Sequence, residues 1–229
     1  MRAELIPPLL GYYTMAGSAA APVLPWYLTG SIPAANCIAA YQAKGVASYA
    51  ASLVNLANPG THNATEPATP PTWGAATGWV FAGINHLITT VIPTTTYSMI
   101  VAFSGATGST TSEMCGSRNA TTNTRFRLGN NQSSNKYYAF ADEVISIAPA
   151  VESGVMALTP TGGYYNSTKD TDTGGTMSGE TAQNIWIGGY NGNDVILNSP
   201  FVGNIIALSI YDIDIAAYVA GLTTAMAAL

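Results

Sequence analysis

Side-chain carboxylates are the first candidates for chemistry in this chain of 229 residues, and their spacing serves it poorly. Glycoside hydrolysis requires two carboxyl groups held at a fixed separation across the scissile bond. Asp142 and Glu143 are adjacent, so on a strand they would point to opposite faces. Glu113, Glu152 and Glu180 each stand alone among turn-forming residues. His62 reads as a loop residue and His86 as a strand-face residue with a satisfied ring nitrogen. No G-x-S-x-G elbow accompanies either of them. The Gly-rich runs GGYNGND and TPTGG lack the following helix and Lys that make a phosphate cradle. Cys37 and Cys115 have no metal-ligand spacing and read as free, buried thiols. We therefore expect no enzyme, no catalytic residues and no metal site.

Binding is better provided for. A saccharide site needs an aromatic surface plus a few amide and carboxylate groups that orient hydroxyls. The loop YNGND offers Tyr190, Asn191, Asn193 and Asp194, and Tyr164 of TGGYYN could join them. A second group of aromatics, Tyr12, Tyr13, Trp26 and Tyr27, sits in the Pro-rich residues 1–36. These read as an arm whose rings grip either their own domain or a neighbouring subunit.

Composition narrows the partners. Only 8% of residues are charged, against roughly 25% in ordinary globular proteins. The net charge of −5 and a basic set reduced to a mild cluster at Arg118, Arg125 and Arg127 argue against nucleic acid. No Asp, Glu, Lys or Arg occurs between Pro67 and Ser112. Such a surface carries little long-range repulsion and suits packing against other subunits. Nearly half the residues are apolar, which supports a large core and excludes disorder. Pro7, Pro8, Pro22, Pro25 and Pro33 interrupt the apolar start well short of the ~20 residues a membrane span needs. With Glu4 they also spoil a secretory signal, so neither a membrane location nor a cleaved leader is expected.

Periodicity then supplies the elements that must position these groups. CIAAYQAKG reads as a strand, with a further short strand over Ser52–Leu56. GWVFAGINHLITT reads as a strand pair around a turn at Gly83–Asn85, and TYSMIVAFSG as a half-buried strand alternating about Met99, Val101 and Phe103. TRFRLGN, KYYAFAD, VISIAPA, GVMALTPTGG and YYNSTKD follow as short strands between turn-formers. In NIWIGG, Ile185 and Ile187 point one way and Trp186 the other. FVGNIIALSIYD makes a long strand with Gly203 at a bulge. Asp212 or Asp214 then caps a helix whose buried stripe is Ile215, Val219, Leu222 and Met226, laid over a sheet edge or a neighbour. The fold class is an all-β, two-sheet antiparallel sandwich with a short C-terminal helix.

In this order the segments resemble the laminin-G-like, concanavalin A-like jelly rolls over residues 37–225. GWVFAGINHLITT is similar to that family's "F-x-G-x-x-x-Y-L" region. NIWIGG through SIYDIDIAAYVAGL is similar to its closing "l-y-I-G… F-x-G-x-I-x-x-x-x-I-Y" strands and helix. The resemblance implies a jelly roll over 37–229; the arm at 1–36 lies outside it and reads as an assembly anchor. It is the kind found on phage virions as capsid decoration or head and tail fibre proteins, assembled in the host cytoplasm. The partners it implies are other subunits, as a homo-oligomer, and capsid or tail proteins. A glycan-binding adhesin using the rim loops is the alternative. No cofactor is implied beyond the calcium that some members hold with acidic rim loops. Here only Asp194, Asp170 and Asp172 occupy comparable places, and calcium wants about six to eight oxygens.

Overall fold

The computed structural model describes residues 24–107, 112–132, 135–172, 181–194 and 201–229. In chain order the strands are β1 Cys37–Gln42, β2 Thr72–Gly74, β3 Gly78–Ala82, β4 Leu87–Ile88, β5 Ser98–Thr107, β6 Glu113–Arg118, β7 Arg125–Gln132 and β8 Asn135–Ala141. They continue as β9 Glu143–Ile147, β10 Gly154–Thr159, β11 Gly162–Tyr165, β12 Thr168–Thr171, β13 Trp186–Ile187, β14 Asn191–Gly192 and β15 Val202–Tyr211. Two helices, α1 Tyr49–Ser52 and α2 Val219–Ala227, complete the list, with short 3-10 turns beside them.

The strands form two stacked sheets. The first runs β12-β11-β10-β5-β15-β3-β2, with β1 also on β15. The second runs β4-β13-β6-β7-β8-β9, with β14 parallel to β6. Strand β15 is the hub of the first sheet. One edge pairs with β5, and the other is shared end to end by β3 at Val202–Ile205 and β1 at Ala207–Tyr211. Gly203 takes φ +145 at a register shift, because a Cβ there would meet the backbone of Ala106. The expected bulge is present.

Between the sheets the core packs Trp79, Tyr41, Phe81, Phe103, Phe126, Phe140 and Phe201 with Met99, Leu128, Ile185 and Ile187. Gly188, at φ +85, lets the chain leave β13 beside this core. A Cβ there would lie 2.1 Å from the Phe81 ring. A second apolar layer covers the other face of the first sheet: α2 and residues 26–32 close over Ile100, Ala102, Val155, Ala157, Tyr164 and Ala207. The expected stripe Ile215, Val219, Leu222 and Met226 is buried in that layer. Asp214 accepts from Ala216 N at 2.8 Å and caps the turn leading into the helix.

Three expectations are corrected. β5 is not half-buried: Ile100 and Ala102 are as buried as Met99 and Val101, because α2 lies over the sheet face, not its edge. GWVFA and INHLI do not pair with each other, since β3 joins the first sheet and β4 the second. Ser52–Leu56 is no strand. Ser48 caps the short α1 by accepting from Ala51 N at 3.1 Å, and Ala50 and Ala51 favour helix. Asn55 then clamps the loop to β1, accepting from Ala40 N and Ala57 N and donating to Ile38 O and Thr61 O.

Leu222→Ala should cost about 2–5 kcal/mol in urea denaturation, since Leu222 is fully buried on the inner side of α2. Thr224→Ala, on the exposed side of the same helix, should stay within about 0.5 kcal/mol.

Candidate functional site

The outer face of the second sheet is built differently from that of the first. On β7 the sequence R-F-R-L alternates: Phe126 and Leu128 enter the core, and Arg125 and Arg127 point outward. Cross-strand register then sets their neighbours. One row runs Trp186, Gly116, Arg127, Ala139, Val144. The next runs Glu113, Gly129, Tyr137, Ser146. On the other side of Arg127, Arg118 stands directly opposite Arg125.

Arg127 is the centre of this face. It is buried, and its Nη1 donates to Glu113 Oε1 at 3.1 Å while Nη2 donates to the Tyr137 hydroxyl. Its guanidinium lies 4.3 Å from the Tyr190 ring centre and 5.1 Å from that of Tyr137, within cation–π range. Gly116 makes room for it, since a Cβ there would come within 2.8 Å of Arg127 Cγ. Arg118 and Arg125 converge on one amide oxygen, Asn123 Oδ1, at 2.8 and 2.7 Å, and Arg125 also donates to Asp142 O. Beyond Gly116, Trp186 stacks on His86 with ring centres 4.3 Å apart.

Hydrogen bonding on this face is incomplete. Glu113 Oε2, Trp186 Nε1, His86 Nδ1 and the Nε of Arg118, Arg125 and Arg127 are buried with no partner among the described residues. Each such atom costs about 1–3 kcal/mol when left unmet, and six of the nine such atoms among the described residues lie on this face. Burial pushes the Glu113 carboxyl up to about 7 against the pull of Arg127 and Arg125. Burial likewise raises the Tyr137 hydroxyl to about 12 and lowers His86. The expected satisfied nitrogen of His86 is therefore corrected: the residue lies in the turn before β4, and its Nδ1 has no partner among the described residues.

Of the expected ligand residues, the structure brings the YNGND loop to this face and Tyr164 to another. Tyr190 covers Arg127. Asn191 is buried and organises the loop, donating to Asn184 Oδ1 at 2.5 Å and accepting from Asp194 N at 2.7 Å. Asn193 accepts from Ala120 N at 3.3 Å, and it and Asp194 are exposed with positive φ. Tyr164 belongs to the layer beneath α2, on the opposite side of the sandwich. Trp26 and Tyr27 are half-buried against the first sheet. Tyr27 donates to Leu56 O at 2.9 Å and its carbonyl accepts from the Tyr211 hydroxyl at 2.8 Å. Tyr12 and Tyr13 lie outside the described residues.

The remaining candidates are engaged elsewhere. Asp170 holds Lys136 at 3.0 Å and the Tyr138 hydroxyl at 2.8 Å, and Asp172 holds Lys169 at 2.5 Å. Among the described residues no three His, Cys, Asp or Glu side chains converge. Cys37 and Cys115 are free and buried. Burial pushes the first thiol up to about 12 and also raises the second, which donates to Met99 Sδ at 3.6 Å. Glu113, read from sequence as an isolated loop residue, opens β6 and faces Arg127. The signal that could have found this face was the R-F-R alternation, which sets two cations on one side of a strand.

The fold is an antiparallel two-sheet jelly roll of the concanavalin A-like kind. Trypanosoma rangeli sialidase superposes with a TM-score of 0.59 at 11% identity, over 92% of this chain and 36% of its own. The chain thus spans about a third of that protein. Domain 4 of AbnA, an extracellular arabinanase from Geobacillus stearothermophilus, solved in complex with arabinotriose, superposes with a TM-score of 0.50 at 13% identity. That match covers 82% of this chain and 98% of the domain. At such identities the likeness is one of fold. No protein-family model and no curated protein sequence matches the chain.

Because the folded Glu113 carboxyl titrates above its ordinary value of 4.5, its contribution to stability is full below about pH 4.5. It is lost as the pH rises through about 7. Glu113→Gln, which keeps the neutral form, should match the wild type in Tm near pH 4 and exceed it by pH 8. A thermal melt series across that range checks the sign.

Proposed function

We propose that the domain is a non-catalytic carbohydrate-binding module whose ligand rests on the outer face of the second sheet, bordered by the Tyr190–Asp194 loop. One observation carries this reading: six of the nine buried polar atoms without a partner among the described residues lie on this face, on Glu113, Trp186, His86 and the three arginines. Sugar hydroxyls are the matching chemistry, since each both donates and accepts. The likeness in fold to an arabinanase domain solved with arabinotriose supports it. Asn193 and Asp194, exposed at the border, would contact the outer part of a saccharide.

A second reading places the same module on the surface of a larger particle, as a phage capsid decoration or fibre protein in homo-oligomeric form. Residues 1–36 would be its anchor. Its support is the sparse charge, together with Ile84 and Ile92 exposed at 67% and 44%. The two readings are compatible, because a displayed module can bind glycans on a host surface. Deleting residues 1–23 should keep the protein off its particle, and normal incorporation of that variant would discard the anchor.

The intact chain should bind on a glycan array. Trp186→Phe, which removes the indole N–H together with part of the aromatic surface, should weaken binding by at least about two- to tenfold, the value of the lost hydrogen bond alone. Asp194→Ala should weaken it as well, whereas Tyr164→Phe, on the far side of the sandwich, should leave it unchanged. Absence of binding to any glycan would overturn the reading. Loss in Tyr164→Phe with none in Trp186→Phe would overturn the choice of face.

A further inference from the structure

The arginines on this face are out of balance with the rest of the molecule. The chain carries −5 overall and has only seven Lys and Arg, yet three of them stand on adjacent strands within two residues of one another. Elsewhere Lys136 meets Asp170 and Lys169 meets Asp172. Here one carboxylate, Glu113, holds Arg127, whereas Arg118 and Arg125 donate to an amide oxygen and a backbone carbonyl. Those two face each other across the strand pair, an arrangement that like charges disfavour. What holds them together is a single neutral acceptor, Asn123 Oδ1. The Nε of each is buried with no acceptor among the described residues.

Like charges placed in register, sharing one acceptor and keeping spare donors, describe a receptor for an anion. A guanidinium presents a planar fork of donors that matches two oxygens of a carboxylate or sulfate group, and such charge-assisted bonds are the strong ones. Resting on the carbohydrate-binding reading, we propose that the preferred ligand is an acidic saccharide, with its carboxylate or sulfate group seated between Arg118 and Arg125. Arg127, fixed by Glu113, Tyr137 and Tyr190, forms the back wall. The neutral part of the sugar then extends across Gly116 toward Trp186 and His86, along the register row that links them to Arg127.

Calorimetric titration of the intact protein with four probes tests this: a galacturonic acid trisaccharide, a sulfated disaccharide, arabinotriose and inorganic sulfate. The expected result is binding of one acidic saccharide at least about tenfold tighter than arabinotriose and than sulfate alone, weakening as salt is raised. The two acidic probes decide between carboxylate and sulfate. Arg118→Gln and Arg125→Gln should each lose that preference about tenfold or more, the scale of a charge-assisted hydrogen bond. The Tm of Arg118→Gln without ligand should hold or rise, because a like-charge contact is relieved. Arg125→Lys, which keeps the charge and loses the fork, should bind more weakly than wild type. Equal affinity for arabinotriose and the acidic probes would overturn the inference and leave the carbohydrate reading standing, whereas no binding of any saccharide would remove both. Inorganic sulfate binding as tightly as the best saccharide would reduce the site to a simple anion site. A fall in Tm with unchanged affinity in both Gln variants would make the arginines structural.

Discussion

Burial of β15 on both faces is the constraint on which the rest depends. The strand is hydrogen-bonded along one edge by β5 and along the other by β3 and β1, and both of its side-chain faces are apolar. A sheet with an apolar inner face can be satisfied by a partner sheet alone. An apolar outer face needs a second cover, which is why α2 and residues 26–32 must lie over it. That solution assigns the two sides of the sandwich their different roles. The first sheet is enclosed, and the second is left to present polar side chains outward.

With so few charges, several buried polar needs are met by amide side chains. Asn55 makes four hydrogen bonds to the backbone, Asn85 accepts from Ala82 N and donates to Pro70 O, and Asn130 bonds both polar groups of Val151. These loops are anchored locally and completely, so they need no ionic support. Against that background the second sheet's outer face is an exception of a definite kind. It concentrates guanidinium groups, sets one buried carboxylate among them, and keeps donor and acceptor atoms unmatched. An arrangement that costs stability persists when something else in the protein's life depends on it.

How far the sequence could be read depended on whether a signal was local. Alternation in NIWIGG placed Ile185 and Ile187 in the core and Trp186 outside it, and helical spacing named the stripe that α2 buries. A bulge at Gly203 followed from one glycine inside an apolar strand. Ser48 was missed as a cap because SLVNL offered a competing strand pattern, and the tertiary clamp through Asn55 decided against it. Tyr164 and Tyr190 were grouped by residue type, which carries no information about which side of a sandwich each strand presents. Glu113 and Arg127 were separated by 14 residues of chain and looked unrelated until antiparallel register set them together.

The sequence by itself therefore determined the layered β architecture, the closing helix and the inward or outward sense of individual strands, because period-two alternation and caps act between near neighbours. Tertiary structure alone decided which loops share a face, that β5 is covered on both sides, and that scattered arginines form one cluster. Those outcomes rest on strand order and register between segments far apart in the chain. Backbone hydrogen bonds of that kind are blind to side-chain type, so no short motif records them.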